Sequence, residues 1–143
     1  MPGPDEIGEE LEAGAARHFG RPVEIERLEP LQGGASRELW AFAAVLDGRR
    51  RELVLRRDPK GVEDPPARRR ELEALAAAHR HGVPVPEPLW LHGDGTGLVM
   101  ARVQGETIPR RLLRDDRYAA ARAGLTHQLA AAAAAVHAVP LDE

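Results

Sequence analysis

Three features of the 143-residue chain have the residue types needed to hold a phosphate group. The first is a turn of small residues, Gln32-Gly33-Gly34-Ala35-Ser36, between two segments with strand character. Glycine has no Cβ, so backbone N–H groups at such a turn can come close to phosphate oxygens. The turn fits neither the dinucleotide fingerprint nor the P-loop, because both lead from a strand into a helix and this one leads into a strand. The second feature is Arg56, near the end of Leu53-Val54-Leu55-Arg56, one hairpin beyond the turn. A cation there can reach α- and β-phosphates. The third is Glu71, on the helix that follows, where a carboxylate can hold the cation in its working direction. Taken singly, each has an ordinary reading as a hairpin turn or a surface charge. In sequence, a glycine turn, a cation-bearing strand and a carboxylate-bearing helix point to nucleotide phosphates.

Other candidates carry less. His79 and His81 are two residues apart at a helix end, so they do not share a face, and capping or solvent exposure fits them better than metal binding. His127 and His137 lack acidic companions at ligand spacing, and no metal site is expected. Ser36 lacks the strand-to-helix elbow of a nucleophile. The sequence has no cysteine, which excludes disulfides, thiolate zinc sites and a cysteine nucleophile, and fits a reducing cytoplasm. Residues Met1 to Glu12 are acidic and lack the regions of a signal peptide. The longest apolar run, Leu129 to Val136, is too short to span a bilayer, so a cytoplasmic location is expected. A net charge of -3 gives no general attraction to nucleic acid or anionic membrane, and neither is expected as a partner. Aromatic residues are only 3%, too few for a base-stacking platform. The arginine clusters Arg49-Arg50-Arg51, Arg56-Arg57, Arg68-Arg69-Arg70 and Arg110-Arg111 read, for the most part, as a solvated basic face.

The elements that must position the three features follow from periodicity and turn residues. Asp5 to Phe19 has helical spacing, with Ile7, Leu11, Ala15 and Phe19 on one face and Gly20 as its stop. Val23 to Leu31, Arg37 to Leu46 and Arg51 to Arg57 read as strands, the last two joined by the hairpin signal Asp47-Gly48. A loop, Asp58 to Pro66, leads to a helix from Ala67 to His81, with Leu72, Leu75, Ala76 and His79 on one side. Pro84, Pro86 and Pro88 enforce an extended connection. Leu89 to Leu91 and Leu98 to Val103 are two further strands around the turn His92-Gly93-Asp94-Gly95, and Ile108 to Leu113 and Tyr118 to Val139 are helices. The expected fold is α+β: a five-stranded antiparallel sheet with one crossing helix, an N-terminal helix and an alanine-rich C-terminal helix.

With these elements in order, the chain resembles the N-terminal lobe of the aminoglycoside phosphotransferase family, small-molecule kinases that share the protein-kinase fold. The stretches that carry the resemblance are Leu31 to Glu38, Leu53 to Pro59, Arg70 to Leu75, Val83 to Pro88, Leu98 to Glu106 and Leu129 to Val139, in the family's order. The resemblance implies that Gly33, Gly34, Ala35 and Ser36 lie over the phosphates of ATP, that Arg56 contacts them, and that Glu71 is its ion-pair partner. It implies further that Met100 backs the adenine pocket, that Ala101 and Val103 offer backbone groups to the adenine edge, and that Gly105 turns the chain toward a second lobe. Residues 1–105 are then the kinase-like lobe, an N-terminal helix over 1–21 followed by sheet, crossing helix and hinge over 22–105. Residues 106–143 are helices leading onward.

Two departures qualify what the resemblance implies. Arg56 stands where most of these kinases have lysine, and its planar fork grips phosphate differently from an ammonium. The family's catalytic loop, His-Gly-Asp followed closely by Asn, is missing: His92-Gly93-Asp94 has the letters but lies in a strand turn, and the sequence contains no asparagine. The expectation is an ATP-binding lobe of a kinase that acts on a small-molecule hydroxyl, inactive by itself and lacking its catalytic lobe, with Mg2+ needed only alongside that lobe. The competing expectation is a stand-alone, non-catalytic nucleotide- or partner-binding module. In both cases the last helix would bare an apolar side and favour a homodimer or another partner.

Overall fold

The computed structural model describes residues 4–31 and 36–140. The first helix, α1, runs Pro4–Phe19. Asp5 and Glu6 in its first turn and Arg17 and His18 in its last complement the helix dipole. Ile7, Leu11 and Ala15 fall four apart on its inner face and are fully buried. Strands β1 (Glu24–Pro30), β2 (Glu38–Leu46) and β3 (Arg49–Arg57) follow, then α2 (Pro65–Arg80), β4 (Pro88–His92) and β5 (Gly97–Ala101). Two further helices, α3 (Pro109–Arg114) and α4 (Ala119–His137), end the described chain, with a single 3-10 turn between them at Asp116–Tyr118.

The strands form one five-stranded sheet in the order β1-β2-β3-β5-β4, with every neighbouring pair antiparallel. Asp47 and Gly48 both have positive φ (49° and 74°), the conformation a two-residue turn needs to match the strand twist between β2 and β3. Helix α2 carries the chain from β3 past the position of β5 to the edge strand β4. This is the expected α+β arrangement with its N-terminal, crossing and C-terminal helices.

The register gives each face of the sheet a distinct job. Leu53 and Leu55 of β3 lie opposite Phe42 and Trp40 of β2, and Val99 of β5 lies opposite Leu55, so these side chains share a face. Together with Ile7, Leu11 and Ala15 they build the main core under α1, and Trp90 of β4 joins them. Gly14 permits this packing, because a Cβ there would meet Trp90 Nε1 at 2.7 Å. The opposite face carries Leu39, Ala41, Val54, Arg56, Leu98 and Met100, since Arg56 pairs with Leu39 and Leu98 and Val54 with Ala41 and Met100.

Element boundaries shift by one or two residues from the sequence expectation, and two of the shifts bear on the site. Helix α2 begins at Pro65, inside the stretch read as loop. Asp64 caps it by accepting the N–H of Ala67 at 2.9 Å, and prolines fit the first turn because their missing N–H groups would have had no helical partner. On the same helix His79 is exposed, in keeping with its place at the helix end. Strand β5 ends at Ala101, two residues earlier than expected.

The chain divides into two compact units, one comprising residues through Ala76 with Pro86–Arg102, the other Ala77–Val85 with the chain from Val103 onward. The first contains the sheet, α1 and the start of α2. In the second, α3 and α4 contain no buried residue, and Leu113, Leu129 and Val136 are 64%, 62% and 52% exposed. This unit is tied internally by Arg122 Nη1, which donates to the carbonyls of Leu112 and Asp115 at 3.0 and 2.7 Å. Among the described residues, no helix is long and apolar enough to cross a membrane.

Candidate functional site

Arg56 sits near the end of β3, on the sheet face turned away from α1. Its neighbours across the strands, Leu39 and Leu98, and the adjacent Ala41 and Met100 make that face apolar, and Ala41, Leu98 and Met100 are buried. An arginine on such a surface is partly desolvated, with 23% of its side chain exposed, and needs a counter-charge. Glu71 supplies it. The carboxylate reaches across from α2, and its Oε1 accepts a hydrogen bond from Arg56 Nη2. The cation and the carboxylate singled out in the sequence are therefore an ion pair in the fold.

The pair belongs to a longer chain of charges. Glu71 Oε2 accepts from Nη1 of Arg68, one helical turn earlier on α2. Arg68 Nε in turn lies 3.1 Å from Asp58 Oδ2, an ionic contact without hydrogen-bond alignment. Asp58, just past the end of β3, accepts from Arg37 Nε at 3.1 Å through its other oxygen. The backbone N–H of Asp64 donates to Asp58 Oδ2 at 3.3 Å, tying the β3–α2 loop to the start of the helix. Asp58 and Arg68 are 5% and 9% exposed at their side chains, so the middle of the chain is dry. Arg56 Nε is also buried and has no partner among the described residues.

The remaining sequence candidates fall as follows. Gly33, Gly34 and Ala35 lie outside the described residues. Ser36 is exposed, two residues before β2. Met100 and Ala101 end β5, with Met100 opposite Val54 on the Arg56 face. The N–H of Ala101 donates to the carbonyl of Glu87 at 2.9 Å. Val103, in the other compact unit, is 69% exposed. Among the described residues no cluster of three or more His, Asp or Glu side chains is placed to hold a metal ion.

A family model described as the phosphotransferase enzyme family matches residues 27–143. The chain belongs to that family. No curated protein matches it.

Within this phosphotransferase-family chain, the letters His92-Gly93-Asp94 do structural work. His92 ends β4 almost fully buried on the α1 side, with Nε2 2.9 Å from Glu10 Oε2 of α1. Burial, with Arg57 nearby, pushes its imidazole below the ordinary value, against the opposing pull of Glu10. A buried ring whose nitrogens have no aligned hydrogen-bond partner among the described residues is a packing group. Asp94 is exposed in the β4–β5 turn.

Six of the ten clustered arginines, Arg49, Arg50, Arg69, Arg70, Arg110 and Arg111, are exposed, as the sequence reading has it for most of them, and the exceptions are Arg51, Arg56, Arg57 and Arg68. Arg57 is buried and donates from Nε and Nη2 to Glu38 Oε2 at 3.1 and 2.6 Å, and Arg68 is buried between two carboxylates. Arg50 lies 3.2 and 2.9 Å from Glu26 and Glu52, and Arg51 is bonded to Glu87. Arg37, Asp58 and Arg68 are the site residues that sequence reasoning passed over. For Arg68 the signal was its i,i+3 spacing to Glu71; for Asp58 and Arg37 there was none, because their contacts depend on how the β3–α2 loop folds back.

Proposed function

We propose that this phosphotransferase-family chain binds ATP through the Arg56 face of its sheet, as the nucleotide-holding part of a kinase that transfers the γ-phosphate to a small-molecule hydroxyl. The observation that carries the reading is the Arg56–Glu71 ion pair: a cation held by a carboxylate, with a buried Nε–H free of any described partner. Such a group suits a phosphate oxygen, because charge-assisted hydrogen bonds at a partly dry site are the strong ones. The apolar neighbours Ala41, Val54, Leu98 and Met100 suit a purine ring beside the phosphates. In this reading the Ala101 carbonyl oxygen accepts from the adenine amine, its N–H being taken by Glu87. In this reading Gly33, Gly34, Ala35 and Ser36 cover the phosphates.

Phosphoryl transfer also needs a carboxylate to orient the acceptor hydroxyl and side chains to hold Mg2+. Residues 1–143 contain no asparagine for the family's loop, and His92 is committed to packing. The chain by itself is therefore proposed to bind nucleotide without turning over, the acceptor being chosen by a further lobe. The exposed Leu113, Leu129 and Val136 support a second copy or another partner on the α3–α4 unit.

The test is thermal stabilisation. A ligand that binds only the folded state at about 100 times its Kd adds about 2.7 kcal/mol. ATP at millimolar concentration should raise the melting temperature, and Arg56→Ala should abolish the rise. Equal stabilisation of both proteins by ATP would refute the assignment of Arg56.

A further inference from the structure

Among the arginines around Arg56, Arg68 is the most deeply buried. It takes Glu71 Oε2 while Arg56 takes Oε1, so one carboxylate is divided between two guanidiniums, an oxygen to each. An isolated arginine–carboxylate pair tends to close fork to fork, with both oxygens on two N–H groups of the same guanidinium. Here Oε2 is on Arg68 while Oε1 is on Arg56. Arg56 commits only Nη2 to the carboxylate, and its buried Nε–H has no described partner. An arginine has five N–H donors in a rigid fork, so one nitrogen committed among the described residues leaves most of the fork for a ligand.

We propose that Arg68 is a positioning residue for nucleotide phosphate: by occupying the second oxygen of Glu71 it keeps the Arg56 fork open for phosphate oxygens. Through Asp58 it also ties that fork to Arg37, which immediately precedes β2. Charge arithmetic points the same way. Arg37, Arg56 and Arg68 face Asp58 and Glu71, three positive charges against two negative, so the cluster keeps one surplus positive charge for an anion. The inference rests on the reading that Arg56 meets the polyphosphate, and adds that Arg68 decides how much of Arg56 is available to it.

The experiment is calorimetric titration of ATP and adenosine into the full chain, its variants Arg68→Met, Arg68→Lys and Glu71→Ala, and the double variant Arg68→Met/Glu71→Ala, each checked for a cooperative melt. Arg68→Met should weaken ATP binding by roughly tenfold or more, the worth of one charge-assisted hydrogen bond, and leave adenosine unchanged. Arg68→Lys should restore most of the ATP affinity, because an ammonium can still hold one carboxylate oxygen. In the Glu71→Ala background the same Arg68→Met change should alter ATP affinity less than about twofold, since no carboxylate remains to be held off. Unchanged ATP affinity in Arg68→Met, an undiminished effect in the Glu71→Ala background, or parallel losses of ATP and adenosine affinity in both Arg68 variants would each overturn the proposal. A wild-type chain that binds ATP no more tightly than adenosine would overturn the phosphate reading itself, and this inference with it.

Discussion

Replacing Asp58 by alanine removes the centre of the charge chain without touching Arg56. The side chain is 5% exposed and serves Arg37, Arg68 and the N–H of Asp64. Breaking a buried ion pair by deleting one partner costs roughly 3–5 kcal/mol, because the other charge is left in a dry place. The low end applies here: Arg68 keeps Glu71, and Arg37, with 34% of its side chain exposed, can turn to water. A loss of about 3 kcal/mol, against an unfolding entropy of about 2.1 cal/mol/K per residue, lowers the melting temperature by about 10 °C in a chain of this size. Asp58→Asn keeps an acceptor for Asp64 and Arg37 but not the charge, and should lose about half as much. Circular-dichroism melts and urea titrations of the three proteins measure this directly. A shift below about 2 °C for Asp58→Ala, with unchanged cooperativity, would show that the charge chain is incidental to the fold.

Stability should also depend on His92. Its folded pKa lies below the ordinary 6.5, so the unfolded chain takes up a proton near that pH while the folded chain resists it. The contribution is fully present above about pH 7 and is lost as pH falls through 6.5 toward the folded value. His92→Asn should flatten this limb of the stability–pH curve, and a wild-type curve that is level or rises from pH 7 to 5 would contradict it. For the α3–α4 unit, sedimentation should show concentration-dependent association that Leu129→Glu weakens, because an apolar side chain 62% exposed gains from being covered. A dilute, cooperative monomer would argue against a partner there.

How much of this was legible in the sequence depends on the range of the interactions. Ile7, Leu11 and Ala15 are spaced for one helix face, and the structure buries all three. Asp47-Gly48 announces its own hairpin, and the alternation in Leu53-Val54-Leu55-Arg56 already separates the core face from the charged one. Arg56 and Glu71 could be paired across 15 residues because strand and helix are each regular, leaving only their juxtaposition to be inferred. The Pro65 helix start was hidden because proline signals both a loop and a first turn. In the sequence Arg68 reads as one of three surface arginines, since composition cannot say which of Arg68, Arg69 and Arg70 is buried. Asp58 and Arg37 are joined only once the loop after β3 returns to α2, a contact with no local signature.

Arg56 is proposed to grip the phosphates of a nucleotide. The most direct measurement is the affinity of the chain for adenosine, AMP, ADP and ATP in turn, in wild type and in Arg56→Ala. Wild-type affinity should climb from AMP to ATP as phosphates come within reach of Arg56, and the climb should be lost in the variant while adenosine binding stays the same. A wild-type series with no dependence on phosphate number, or the same climb in Arg56→Ala, would contradict it.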